Sequence, residues 1–134
     1  MAISIQHLSD TVAVLDPDLN QNLVNVTPTL YQELDTDFDG FKGHVLISMH
    51  EFSDDWPTWE VHPAGDELVL LLSGAATFLL REGETDHSAK LTEPGSYVVV
   101  PRNTWHTARV SVSAKMLFIT PGERTENREQ PGDD

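Results

Sequence analysis

Residues 59–67 read Trp59-Glu60-Val61-His62-Pro63-Ala64-Gly65-Asp66-Glu67. On a strand, side chains two apart share a face, so Glu60 and His62 point one way and Trp59 and Val61 the other. Pro63-Ala64-Gly65-Asp66 turns the chain, and Glu67 opens the next strand. The expectation is a tight turn that brings Glu67 back beside His62, with two carboxylates and an imidazole converging on one face of a strand pair. Buried together without a partner, two carboxylates repel, and one must take up a proton. A divalent cation removes that conflict. Oxygen and nitrogen donors of this kind suit Zn, Fe, Mn or Ni. The chain contains no cysteine, which excludes disulfides, thiolate metal sites and Cys nucleophiles.

A second stretch, Pro94-Gly95-Ser96-Tyr97-Val98-Val99-Val100-Pro101-Arg102-Asn103-Thr104-Trp105-His106, reads as turn, strand, turn, strand. His106 enters its strand much as His62 leaves its own. Glu60, His62, Glu67 and His106 from neighbouring strands make a four-ligand set with room for water or substrate.

Around these stretches the chain from Phe41 to Thr120 reads as strand after strand. Candidates are residues 44–52, 58–62, 67–72, 75–80, 96–100, 105–110 and 115–120, separated by turns such as Ser73-Gly74, Glu82-Gly83-Glu84 and Pro94-Gly95. Short strands at regular spacing with Gly, Pro and Asp between them predict an all-β antiparallel sandwich or barrel. No long helical pattern interrupts them, which argues against a parallel α/β sheet. Residues 1–40 are polar and irregular and are expected to pack on the barrel or add an edge strand. Their best helix signal is Thr27 to Leu34, with Thr27 as cap and Pro28 at the first position. Residues 121–134 carry charge, Gly and Pro but few apolar side chains, and are expected to form a flexible tail.

At 134 residues the chain has the size of one domain. Eight Lys and Arg against 22 Asp and Glu leave a net charge of −14. Such a surface repels nucleic acid and anionic lipid, so neither is an expected partner. No apolar run approaches the ~20 residues of a membrane helix. The opening Met1-Ala2-Ile3-Ser4 has neither a basic region nor an apolar stretch of signal length. A cytoplasmic location is the expectation.

The two stretches resemble the paired motifs of a small single-domain cupin of the type-2 kind. The first family motif runs G-x-x-x-x-x-H-x-H-x-x-x-x-E-x-x-x-x-x-x-G, and His62, Glu67 and Gly74 fall on its second His, its Glu and its last Gly. The second runs G-x-x-x-x-x-P-x-G-x-x-H-x-x-x-N, and Gly95, Pro101 and His106 fall on its Gly, Pro and His. The resemblance covers roughly residues 41–120 and implies a jelly-roll β-barrel with one divalent ion. It also implies activities of dioxygenase, isomerase, lyase or decarboxylase type on a small organic molecule, and a homodimer paired through sheet edges.

The departures bear on the site. Glu60 stands where the family has its first His, Asp54 at the first Gly, Asn103 at the second motif's inner Gly and Val110 at the final Asn. Asn tolerates left-handed backbone better than most residues. Glu60 in place of His lowers the summed charge of ion and ligands from +1 to zero, which weakens Lewis acidity and the pull on anions.

Each residue also has a plainer reading. Glu60 is either a fourth ligand or a solvent-facing strand residue, and His62 and His106 taken singly are half-buried polar residues. Glu67 has Arg102 as an alternative partner. His44 and His50 are read as the polar side of a sheet, with His50 the one placed to approach the cavity. Trp56, Trp59 and Trp105 are read as core or interface packing, with Trp105 facing away from His106. Three functions follow: a metal-dependent enzyme, a module that binds or senses a small ligand without catalysis, and a structural domain.

Overall fold

A computed structural model describes residues 1–132. Among the described residues, eleven strands and one α-helix follow in chain order, with a short 3-10 turn at Asp39–Phe41 after the helix: β1 Thr11–Leu15, β2 Gln21–Asn25, α1 Leu30–Asp37, β3 Val45–Phe52, β4 Trp59–Val61, β5 Glu67–Gly74, β6 Ala76–Glu82, β7 Thr85–Leu91, β8 Tyr97–Val100, β9 His106–Arg109, β10 Ala114–Thr120 and β11 Glu126–Arg128. They form two antiparallel sheets, one in the order β2-β1-β3-β10-β5-β8 and the other β11-β4-β9-β6-β7. This is a jelly-roll arrangement. No helix among the described residues is long and apolar enough to cross a membrane.

Strand periodicity builds the core. Alternate residues of β10 are buried, and Met116 and Phe118 meet Val69 and Leu71 of β5 and Phe78 of β6 between the sheets. A second cluster joins Val12, Val14 and Leu46 to Leu30, Leu34 and Phe41, so α1 is anchored on the inner face of the six-stranded sheet. A third puts Trp59 and Val61 against Trp105 on the other face of β4, with Leu79 packed on them. Trp105 therefore does face away from the side on which His106 lies.

Gly74 cannot be replaced by a residue with a side chain. Its φ is +81°, and an added Cβ would sit 2.1 Å from the carbonyl oxygen of Ser113.

All seven strands expected between residues 41 and 120 are present, and four more accompany them. β1 and β2 extend the six-stranded sheet at its β3 edge. The alternation of Val12 and Val14 in β1 is a strand signal inside a segment read as irregular. β7 is polar and exposed from Thr85 to Ser88 because it is the outer strand of the β6–β7 hairpin, and only Ala89 and Leu91 at its end reach the core. The helix begins at Leu30, later than expected, and Thr29 rather than Thr27 occupies its cap position. The segment expected to be a flexible tail contributes β11, which pairs with β4 in the register Glu126↔Val61, Asn127↔Glu60 and Arg128↔Trp59. Backbone hydrogen bonds to the free edge of β4 hold it, together with the Arg128 guanidinium 5.2 Å above the Trp105 ring. Neither interaction requires apolar side chains in the segment itself.

Candidate metal centre

Glu60, His62, Glu67 and His106 come together, each offering one donor atom, with all four atoms within 4.8 Å of one another. The route to that convergence differs from the expected strand pair. β4 and β5 belong to opposite sheets. The turn at residues 63–66 crosses between sheets instead of closing a hairpin. Glu60, His62 and His106 approach from the five-stranded sheet, and Glu67 meets them from the six-stranded one. Glu60 and His106 are direct partners across β4 and β9. Asn103, with φ +60°, donates its backbone N–H to the His62 carbonyl at 3.0 Å, which ties the turn before β9 to the end of β4.

His62, Glu67 and His106 are buried, whereas the Glu60 side chain is 25% exposed. His62 Nε2 lies 2.8 Å from Glu60 Oε1 and 3.3 Å from Glu67 Oε2. His106 Nε2 lies 3.2 Å from Glu67 Oε1 and 3.8 Å from Glu60 Oε1. Arg102, the alternative partner of Glu67, instead has its guanidinium 3.7 Å from Asp66 and its backbone N–H donated to the same carboxylate.

The outer hydrogen bonds orient the rings. The Thr104 carbonyl, 3.0 Å from His106 Nδ1, can only accept, so Nδ1 carries the hydrogen and Nε2 turns its lone pair inward. Thr125 donates its hydroxyl to the Gly122 carbonyl at 3.0 Å, which leaves its oxygen to accept from His62 Nδ1 at 2.7 Å. Thr120 donates to Glu67 Oε2 at 2.6 Å. Partners of this kind fix the tautomer and aim of metal-ligating groups.

What the site lacks is a partner at its centre. His62 Nε2, His106 Nε2 and Glu67 Oε1 are buried with no aligned hydrogen bond, although opposite charges lie close. A buried polar atom without a partner is costly. Three of them meeting across two sheets fit a divalent ion, which accepts nitrogen and oxygen donors without needing their hydrogens. Burial disfavours the charged His62 ring, but the Glu60 and Glu67 carboxylates outweigh it and lift its pKa to about 9. Burial likewise pushes Glu67 up, but His106 and His62 outweigh it and hold its pKa at about 2.

A cavity of about 570 Å³ opens beside the cluster and is lined by Glu60, His62 and Glu67 on one side. Phe52, Trp56 and Phe118 form an apolar wall, with ring centroids 5.4–6.2 Å apart. Tyr31 of α1 and His50 of β3 also line it, and the Tyr31 hydroxyl is 3.4 Å from His50 Nε2. Sequence reading passed over Tyr31, Thr120 and Thr125, and favoured core or interface packing over substrate stacking for Trp56, which does pack on the core and also lines the cavity. Thr120 carried a signal, as a polar residue in the inward register of β10. Thr125 carried none.

No family model matches the chain, and no curated protein sequence matches it. Solved structures do. A hydroquinone 1,2-dioxygenase from Sphingomonas sp. TTNP3, solved with 4-hydroxybenzoate bound, is similar with a TM-score of 0.51 at 17% identity over 57% of this chain and 58% of that one. Peruvianin-I, a cysteine peptidase from Thevetia peruviana latex, gives 0.52 at 13% over 61% and 54%. A cupin superfamily protein from Desulfitobacterium hafniense is 32% identical over 57% of this chain and 65% of that one, with a TM-score of 0.48. Two such different activities on one fold mean that function must be argued from the site.

Proposed function

We propose, taking this chain as a small domain of cupin-like fold, that Glu60, His62, Glu67 and His106 hold one divalent ion and that the domain is an enzyme acting on a small organic molecule in the adjoining cavity. The observation that carries the reading is the trio of buried donor atoms, His62 Nε2, His106 Nε2 and Glu67 Oε1, which meet without hydrogen-bond partners. Zn, Fe, Mn and Ni all suit the donor set. A bound ion would supply Lewis-acid polarisation of a substrate oxygen for isomerase or lyase chemistry, and a redox-active ion such as Fe or Mn would supply the electrons that dioxygenase chemistry needs.

The chain's own residues do the rest. A structural metal site is closed, whereas this cluster borders a cavity on the side of its partly exposed member, Glu60. Phe52, Trp56 and Phe118 bind the apolar part of the substrate and exclude water. His50 is held below the usual histidine range by burial, against the pull of Glu60, and its Nε2 lies 3.4 Å from the Tyr31 hydroxyl. That pair is positioned to hold or pass a proton at the cavity wall.

The test is elemental analysis of protein purified without an affinity tag, followed by a turnover screen with the native metal. Stoichiometric metal in the wild type, lost in His62→Ala and His106→Ala while the sheets stay folded, is the expected result. A wild type that holds no metal after incubation with Fe(II), Mn(II), Ni(II) and Zn(II) overturns the reading. Metal and ligand binding without any turnover would instead assign the site to a sensing module.

A further inference from the structure

From Thr120 to Arg128 one continuous stretch of chain runs past the metal centre and touches most of it. Thr120 donates its hydroxyl to Glu67 Oε2 at 2.6 Å. Thr125 accepts from His62 Nδ1 at 2.7 Å. Asn127 is the strand partner of Glu60, and the Arg128 guanidinium lies over Trp105, the residue before His106. Three of the four candidate ligands therefore have a direct partner in this stretch, and the fourth has one beside it. Gly122, Arg124, Thr125 and Asn127 also line the cavity, so the same stretch is one of its walls.

Its other attachments lie at the margin of the fold. β11 has three residues, all exposed, and pairs with β4 at the end of its sheet. Exposed backbone hydrogen bonds at a sheet end open at low cost compared with those of the core. The Thr125 N–H closes a turn on the Gly122 carbonyl, and within that turn Arg124 takes φ +57°. This left-handed conformation is unfavourable for a residue with a side chain. At its root the stretch fits closely. Gly65, in the turn between His62 and Glu67, leaves room for Pro121, and a Cβ there would sit 2.9 Å from the Pro121 ring. The contacts that dock this stretch are thus concentrated on the ligand side chains and on the turn between two of them.

The geometry points to residues 120–128 as a strap whose docking and metal binding form one linked equilibrium, transmitted chiefly through Thr125 and His62. The inference rests on the metal site proposed above. A bound ion holds Glu60, His62 and Glu67 in one arrangement, and that is the arrangement to which Thr120 and Thr125 bond and along which β11 pairs. Linkage is reciprocal: whatever factor the docked strap adds to the ion's affinity, the ion adds to docking of the strap. Hydrogen-bond partners of metal ligands are worth about 10–100-fold in affinity, so the strap should dock more firmly on the loaded site by about the same factor. Docking also completes the cavity wall, so a loaded site is a closed one on this side, and lifting the strap opens it.

Amide hydrogen exchange of the full chain tests this, metal-free and saturated with whichever of Fe(II), Mn(II), Ni(II) and Zn(II) it takes up most tightly. Elemental analysis measures the uptake separately. The amides of Thr125 to Arg128 should exchange about tenfold or more slowly in the loaded protein. Those of Thr85 to Ser88, at the opposite edge of the same sheet, should change by less than about twofold, since they open locally. Thr125→Val should remove most of the slowing, and Thr125→Ser, which keeps the hydroxyl, should retain it. Gly65→Ala crowds Pro121 while leaving every ligand and hydroxyl in place, and should speed exchange of the strap in both states. A wild type that takes up none of the four ions overturns the metal site and this inference with it. A wild type that takes up an ion while strap exchange is unchanged, or while Thr85 to Ser88 slow equally, overturns this inference alone. So does slowing that persists in full in Thr125→Val.

Discussion

The backbone N–H of Asn103 donates to the carbonyl of His62 at 3.0 Å, so this hydrogen bond joins the strand pairing of Glu60 with His106 in tying the two histidine-bearing segments together. Asn103 makes it from a left-handed conformation, φ +60°. Asn103→Gly should therefore fold at least as stably as wild type, since Gly reaches that region without steric cost. Asn103→Val should lose about 1–2 kcal/mol, the cost of holding a β-branched residue there. Thermal unfolding of the three proteins checks this, and equal midpoints for Val and Gly would refute it.

The raised His62 and depressed Glu67 values predict the pH dependence of the metal-free protein. His62 goes from 6.5 when unfolded to about 9 when folded. Its contribution to stability is fully present below pH 6.5 and is lost as pH rises through 9. Glu67 goes from 4.5 to about 2, so its contribution is present above pH 4.5 and is lost as pH falls through 2. Urea midpoints of metal-free protein should form a plateau between about pH 4.5 and 6.5, fall from pH 6.5 to 9 as His62 loses its proton, and fall from pH 4.5 to 2 as Glu67 gains one. Loading the site should reverse the alkaline slope. The ion must displace the His62 proton, so apparent metal affinity should rise by about tenfold per pH unit up to about pH 9. Calorimetry at pH 7 in two buffers of different ionisation enthalpy should show about one proton released per ion.

Much of this site was legible in the sequence because its donors sit at strand spacing around turns. Glu60 and His62 are two apart and share a face, and Glu67 and His106 each open a strand directly after a turn. The partner of each strand was not legible. Nothing in residues 63–66 distinguishes a turn that closes a hairpin from one that crosses between sheets, and the crossing puts Glu67 opposite His62. β11 was missed because backbone pairing and one cation–π contact hold it, and apolar content measures neither. Thr125 was missed with it, since its role depends on where that segment docks.

Thr125 should matter to metal affinity more than to stability. Its oxygen accepts from His62 Nδ1 and so keeps the Nε2 lone pair facing the cluster. Thr125→Val removes the acceptor at nearly constant volume. Metal affinity measured by chelator competition should fall by about 10–100-fold, the usual cost of losing such a partner. Thr120→Val should act similarly through Glu67 Oε2. Thr104 serves as a contrast, because it supports His106 through its main-chain carbonyl, and Thr104→Ala should leave affinity within about twofold of wild type.

Glu60 decides the charge of the site. With Glu60 and Glu67 as carboxylates around a divalent ion and two neutral imidazoles, the sum is zero. Glu60→His raises it to +1. A unit of charge about 4 Å from a bound anion is worth up to roughly 4 kcal/mol at an effective dielectric near 20, and solvent at the partly exposed position reduces that. Affinity for a small carboxylate such as acetate should then rise by about tenfold or more in the variant carrying the same metal. The metal-free protein gives a second readout. Removing one of the two carboxylates that lift His62 to about 9 should bring its titration down toward 6.5 in both Glu60→His and Glu60→Gln, as followed by proton resonances of the ring. If Glu60 lies outside the coordination sphere, X-ray absorption of the metal will show the same ligand set in wild type and Glu60→His while the His62 titration still moves. That outcome would leave His62, Glu67 and His106 as the ligand set and Glu60 as a neighbouring base.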